Sequence, residues 1–277
     1  MFLKKIIKGL CILTVGAALI CGYAFKIEPH ISVVKSHTLG DRQSGDMLRI
    51  IQLSDIQISE NYTASDLKKL VQKVNNLKPD VFIFTGDLYE NYALYGPEKE
   101  VISQLAAIEA PYGKFAVWGN RDHGGGCKPH YAKILSRAGI ELLQNTDVTV
   151  VTEQNHKVWI GGLDDALLGK PDVSTLVGGM AQAADYRILL THEPDAADLY
   201  EQYNLDLILS GHSHGGQISL PFWKGVRTSM AEKYTSGFYP LDNDAETLLY
   251  VNTGIGTSHY PVRLFVPPEI SVFEIGF

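Results

Sequence analysis

Five short strings place side chains able to grip a cation at the ends of apolar runs. They are Ser54-Asp55-Ile56-Gln57, Thr85-Gly86-Asp87, Gly119-Asn120-Arg121-Asp122, Thr191-His192 and Gly211-His212-Ser213-His214. Carboxylate oxygens, amide carbonyls and imidazole nitrogens are the donors that divalent metals take. Each string closes an apolar run, at 48–53, 81–84, 114–118, 187–190 and 205–209. In extended backbone, residues two apart point the same way. Asp55 with Gln57, and His212 with His214, are therefore each expected to offer two donors to one pocket. Gly86, Gly119 and Gly211 stand within three of the strings, where the absence of a Cβ permits sharp turns and close approach. Taken singly, each string has a plainer reading: a strand-final Asp caps a helix, Gly-Asp and Gly-Asn mark turns, and a lone His satisfies a hydrogen bond. The same topological position filled five times is what points to one shared metal site.

Those positions depend on strands alternating with helices. Helical spacing is expected over 65–77, where Leu67, Leu70, Val71, Val74 and Leu77 share a face, and over 98–108, 131–138 and 195–202. Segments 148–151 and 157–160 read as a hairpin, and 248–251 and 270–273 as late strands. The Pro/Gly-bearing stretch 221–244 reads as a long surface loop. Its aromatics Phe222, Trp223, Tyr234, Phe238 and Tyr239 either line an acyl groove or shelter the core. The alternation predicts an α/β body with ligands gathered at the carboxyl ends of the strands. The expected organisation is an N-terminal signal or anchor at 1–26, a connector with an edge strand near 31–34 at 27–46, and a catalytic domain at 47–277.

The chain has 277 residues, 45% hydrophobic and 20% charged, which excludes disordered, collagen-like and coiled-coil classes. Residues 1–26 carry four lysines and no acid, so the rest of the chain, with the remaining 20 bases against 31 acids, stands at −11. No nucleic-acid partner is expected of so acidic a body. With three cysteines, two of them in the apolar run, no disulfide scaffold is available. Cys127 has no base beside it in sequence, which argues against a thiol nucleophile. Residues 9–25 are uncharged and apolar on all sides and follow a basic start. That run either anchors the chain in the cell membrane as a single pass, N-terminus inside and body exported, or is cleaved near Gly22-Tyr23-Ala24 to release a secreted body.

Ser54-Asp55, Gly86-Asp87, Gly119-Asn120, His192 and the Gly211–Gln217 string GHSHGGQ together resemble the calcineurin-like metallophosphoesterase family. The strings at 27–29, 254–258 and 267–269 resemble its exported or membrane-associated bacterial branch, similar to YkuE and YaeI. The resemblance implies an α/β fold, a four-layer α/β/β/α sandwich following the N-terminal hydrophobic helix, with two divalent ions (Mn, Fe, Zn or Mg; Mn favoured). It implies Asp55, residue 57 and His214 on one ion, Asn120, His192 and His212 on the other, and Asp87 bridging both. Two ions about 3.5–4 Å apart clamp the attacking and leaving oxygens of an in-line displacement and lower the pKa of bound water from about 15.7 towards 7. The implied reaction is attack of that hydroxide on a phosphoester or pyrophosphate, with a lipid-linked phosphate of the UDP-diacylglucosamine type among the candidate substrates.

Two positions depart from the common pattern. Gln57 stands where most members carry His; it either ligates through its amide oxygen, a harder, weaker donor than imidazole that favours Mn, Mg or Fe over Zn, or hydrogen-bonds a bound water. Arg121 stands where many members carry a histidine. It cannot act as a general acid, but its planar fork suits a phosphate oxygen, and an arginine here also resembles the enzymes that split UDP-diacylglucosamine. His123 either takes over proton donation or only occupies the turn at 124–126. The same departures leave open a metal-binding surface protein of low catalytic activity that binds phosphorylated ligands.

Overall fold

A computed structural model describes residues 2–41, 45–180, 182–223 and 225–277. The chain begins with helix α1 (Phe2–Lys26), then runs through β1 (Val33–Gly40), β2 (Met47–Leu53), α2 (Ala64–Asn76), β3 (Val81–Phe84), α3 (Tyr92–Tyr95), α4 (Glu98–Ala106), β4 (Lys114–Ala116), α5 (Asn120–His123), α6 (Lys128–Arg137) and β5 (Glu141–Leu142). The second half comprises β6 (Thr146–Val151), β7 (Lys157–Gly162), α7 (Val177–Met180), β8 (Tyr186–Leu190), β9 (Leu207–Ser210), β10 (Gly237–Pro240), β11 (Leu248–Val251) and β12 (Glu269–Gly276).

Two six-stranded mixed sheets form, in the orders β1-β12-β2-β3-β4-β5 and β10-β11-β9-β8-β7-β6. Strands β2 to β5 run parallel, as do β7, β8, β9 and β11, so their carboxyl ends share an edge. The Val-Phe-Ile-Phe of β3 is buried throughout, as a parallel strand covered on both faces requires. Ile50, Ile83, Phe115, Ile160, Ile188 and Leu209 interlock between the sheets. Outside the first sheet, α2, α4 and α6 lay down Leu67, Leu70, Val101, Leu105, Ile134 and Leu135. Thr63 and Asp66 cap α2 reciprocally, which starts the helix where the apolar spacing begins.

The fourth layer differs from expectation. Segment 195–202 forms a 3-10 helix, Pro194–Tyr200, rather than an α-helix, and packs Ala196, Ala197 and Tyr200 on the outer face of the second sheet. The loop expected over 221–244 contains β10, an antiparallel edge strand against β11. Its aromatics divide: Phe222 and Trp223 are exposed, Tyr234 is buried, and Phe238 and Tyr239 are half-buried. The edge strand near 31–34 runs as β1 and pairs in parallel with β12. Lys35 on β1, Tyr250 on β11 and Ser271 on β12 all bond the buried Glu269 carboxylate, tying both sheets beneath the site.

Helix α1 is long and apolar enough to cross a membrane. Its Leu10, Leu13, Leu19 and Ile20 are exposed, so the body supplies no core for it. At its end Ala24 is buried, and the Glu28 carboxylate accepts the amides of Phe265 and Val266 at 3.0 and 2.6 Å.

Candidate metal centre

The carboxyl ends of β2, β3, β8 and β9, with the loop after β4, bring the expected donors together. His214 Nε2 lies 3.3 Å from Asp55 Oδ1, and His192 Nε2 lies 3.5 Å from Asp87 Oδ1. Gln57 Nε2 donates to Asp87 Oδ2 at 2.9 Å and stands 3.5 Å from His214 Nε2. The His192 and His212 rings meet edge to face at 5.0 Å. Asn120 opens α5 beside them, where the next amide, that of Arg121, donates to Asp87 Oδ1 at 2.7 Å. Six of the seven expected ligands are thus joined by direct contact, and Asn120 is delivered by its neighbour's backbone.

The backbone achieves this differently from the extended geometry expected. Asp55, Gln57, Asp87, His212 and His214 all have positive φ, between 48° and 67°. Left-handed backbone costs a non-glycine residue roughly 1–2 kcal/mol, and such strain clusters where function over-determines the conformation. The Gly86 peptide bonds back to Asp55, its carbonyl accepting the Asp55 amide at 2.9 Å, with φ of +95°. A Cβ at Gly211 would strike Ser54 Oγ and, at 2.5 Å, Asp55 Oδ2, so this position admits no side chain.

The donor atoms left free are those a cation needs. Asp55 Oδ1, Gln57 Oε1, Asn120 Oδ1 and His192 Nε2 are buried without a hydrogen-bond partner, and buried polar atoms are otherwise nearly always paired. Their opposite ends are held: Asp55 Oδ2 accepts Ser54 Oγ at 2.5 Å and the His212 amide at 2.9 Å. His192 Nδ1 meets the Thr85 carbonyl at 2.6 Å and His212 Nε2 the Ser229 carbonyl at 2.8 Å, contacts that fix each ring's tautomer and leave its other nitrogen free. Donor atoms of Asp55, Asp87 and His192 lie within 4.8 Å of one another. Burial raises the Asp87 carboxyl, but His192, His212 and the Arg121 amide outweigh it and hold it below the ordinary range. Burial lowers His192, yet Asp87 wins and raises it well above its ordinary value. A cation in that gap competes with the same proton, as ligation of neutral imidazole requires. His214 is pulled down to about 3, chiefly by burial, so it stands as neutral imidazole. These residues fit divalent metal.

Arg121 carries its guanidinium to the rim. Nη2 donates to Ser258 Oγ at 2.9 Å, stands 3.1 Å from His259 Nδ1 and 3.4 Å from Glu90 Oε1. His123 points its Nε2 at Asp164 Oδ1, 2.8 Å away, and packs on Trp118. Arg263 is fully buried and spans the carbonyls of Thr253, Gly256 and Val266. Cys127 is buried, and burial pushes its thiol far up.

Several contributors escaped the reading of the strings. Glu193 is fully buried, and one of its oxygens groups with His192 and His212 within 4.8 Å. Burial, then Asp165, raises the Glu193 carboxyl well above its ordinary value. A charged residue wedged between a candidate ligand and Pro194 was the available signal. Asp122 caps α5 by accepting the Gly119 amide, and it also accepts the amides of Asp87 and Leu88.

The calcineurin-like phosphoesterase family matches over residues 48–216, a span that includes every candidate ligand. The chain belongs to the calcineurin-like phosphoesterase family. It is 38% identical to the uncharacterized metallophosphoesterase YkuE of Bacillus subtilis, over 92% of this chain and 89% of that protein. It is 28% identical to the UDP-2,3-diacylglucosamine pyrophosphatase LpxG of Chlamydia muridarum, over 82% of this chain and 83% of that one. It is also 28% identical to the phosphodiesterase YaeI of Escherichia coli, over 92% of each chain. This phosphoesterase is a hydrolase of a family that uses divalent metals, and its buried donor cluster is where such metals fit.

Proposed function

We propose that this phosphoesterase is a dinuclear enzyme, held at the membrane by α1, that cleaves a phosphoester or pyrophosphate bond. Asp55, Gln57 and His214 would hold one ion, Asn120, His192 and His212 the other, with Asp87 between them. When bound, the ions supply positive charge against the phosphoryl oxygens and a water ionised near neutral pH. The residues themselves do the positioning. Ser54 and the His212 amide aim Asp55, Thr85 aims His192, and the Arg121 fork at the rim is placed to take a phosphoryl oxygen.

The observation that carries this reading is that donor atoms of Asp55, Asp87 and His192 lie within 4.8 Å of one another, with Asp55 Oδ1, Gln57 Oε1, Asn120 Oδ1 and His192 Nε2 buried and without a hydrogen-bond partner. Mn²⁺ suits the set best, because Asp55, Asp87, Gln57 and Asn120 offer oxygen. The chlamydial relative's pyrophosphatase activity makes an acylated nucleotide sugar one substrate class, and the apolar α1 would keep the body beside such a lipid.

The test is metal analysis of the purified full chain together with hydrolysis of a chromogenic phosphodiester and of UDP-2,3-diacylglucosamine, with and without Mn²⁺. Two equivalents of metal and Mn²⁺-dependent turnover, lost in Asp87→Asn, are expected. Metal without turnover on either substrate would leave a binding protein for phosphorylated ligands instead.

A further inference from the structure

Two loops beside the metal centre expose a cluster of large apolar side chains. Phe222 is 87% exposed, Trp223 44%, Val226 66%, Tyr260 72% and Phe265 66%. The loops are stitched into one surface. Ile218 and Leu264 form a parallel bridge, the Ser219 amide donates to the Leu264 carbonyl at 2.9 Å, and the Leu264 amide donates to the Gln217 carbonyl at 2.9 Å. Leu220 and Trp223 exchange amide–carbonyl bonds of 2.6 and 3.1 Å, which thrusts Pro221 and Phe222 out at a tight tip.

This surface is continuous with the end of the apolar helix. The Arg263 amide donates to the Ala24 carbonyl at 3.0 Å. Ala24 lies inside the uncharged run at 9–25, two residues before Lys26, the first charge after it. At about 1.5 Å of rise per residue, Ala24 sits only about 3 Å short of that charge along the helix axis. Tyr260 and Phe265 flank Arg263 by three and two residues, which keeps their backbone near the level where α1 would leave the hydrocarbon. Trp, Tyr and Phe at that level are the side chains that favour the membrane–water boundary. Glu28, clamped on the Phe265 and Val266 amides, fixes the angle between helix and loops.

We propose that loops 218–223, continuing at Val226, and 258–266 form a second, interfacial contact with the bilayer, so that the body is docked on the lipid surface rather than merely tethered to it. The occupant of the apolar patch is the bilayer, because the patch continues the helix that enters it. The docking has a consequence for substrate. His214 lies four residues before the first loop, and Ser258 of the second touches Arg121, while the Gln217 side chain accepts the Ser258 amide at 2.7 Å just before the first loop begins. The rim of the metal centre therefore faces the headgroup layer, where the scissile phosphate of an amphiphile lies. This inference rests on the reading of α1 as a membrane anchor.

The chain's three tryptophans make the test direct. Trp118 and Trp159 are buried in the body, at 5% and 1% exposure, and only Trp223 is on the patch. The full chain is reconstituted into phosphatidylcholine vesicles with and without bromine on the acyl chains. Flotation and tryptophan emission are then measured for the parent and for Trp223→Phe. The expected result is co-flotation in both, with emission lost to bromine in the parent and no such loss in Trp223→Phe. Co-flotation with no bromine-dependent loss overturns the docking and leaves the anchor standing. Protein that does not float overturns the anchor and the docking together.

Discussion

The Asp122 carboxylate accepts the amide of Asp87 at 2.7 Å, and the same oxygen accepts that of Gly119 at 3.0 Å. Its other oxygen takes the Leu88 amide at 3.0 Å. One fully buried side chain therefore joins the loop after β3 to the loop after β4, and sets the distance between Asp87 and Asn120. Burial, then the Asp87 charge, pushes its pKa up to about 8, so the bonds are made against an electrostatic cost.

Asp122→Ala should strand three buried amides. An unsatisfied buried donor costs about 1–3 kcal/mol, so a loss of at least about 3 kcal/mol is expected in urea unfolding. Affinity for Mn²⁺ should fall about 10–100-fold, as for other residues that orient ligands. Unchanged Mn²⁺ affinity in a folded Asp122→Ala protein would refute the positioning role.

Gln57 presents an unpartnered Oε1 while its Nε2 is taken by Asp87. Gln57→His replaces an oxygen donor by imidazole nitrogen, which suits Zn²⁺ better. The variant should bind Zn²⁺ on the order of tenfold more tightly and gain less for Mn²⁺. Competition titrations with a chromogenic chelator measure both. Equal gains, or none, would mean that residue 57 does not ligate.

How much of this was legible follows from what each residue needed. Strand β3 and the buried face of α2 were read correctly, because burial writes a period into the sequence and local spacing carries it. The donors were legible as strand-final strings, since parallel strands leave their carboxyl ends together. Their left-handed backbone was not, for Asp, Gln and His carry no strong local preference for positive φ and only the assembled site imposes it. Glu193 and Asp122 were missed as site residues because their roles depend on partners brought close by the sheets, Glu193 on Asp165 and Asp122 on the Asp87 and Leu88 amides. The 3-10 geometry of Pro194–Tyr200 was hidden for a related reason: seven residues are too few to show which helical period prevails.

Arg121 is partly exposed, and its partners Ser258, His259 and Glu90 lie at the rim. Exposed ion pairs add little to stability, so Arg121→Ala should melt as the parent does. Its loss should appear in turnover instead. Removing a preorganised donor from a developing oxyanion costs about 10²–10³-fold, and a drop of about 10²-fold in kcat/KM on a phosphodiester is expected. Arg121→Lys should recover little, because a point charge lacks the planar fork. Parent-like kcat/KM in Arg121→Ala would remove the guanidinium from the reaction.

Asp164 gives a pH signature separate from the metal donors. Burial pushes its carboxyl up, but the Lys170 amide at 2.9 Å, His123 at 2.8 Å, Gln144 at 3.1 Å and the Asp165 amide at 2.9 Å together hold it below the ordinary value. The unfolded chain, titrating near the ordinary value of about 3.9, then binds more protons than the folded one in that range. Stability from Asp164 is therefore present above about pH 4 and lost as pH falls through the lower folded value. Asp164→Asn removes the titration. The variant should be less stable at pH 7 and lose stability less steeply below about pH 4 than the parent. Urea unfolding across that range reads both slopes. Parallel curves for parent and variant would show that Asp164 is not held as a carboxylate, and with it the contact that fixes His123.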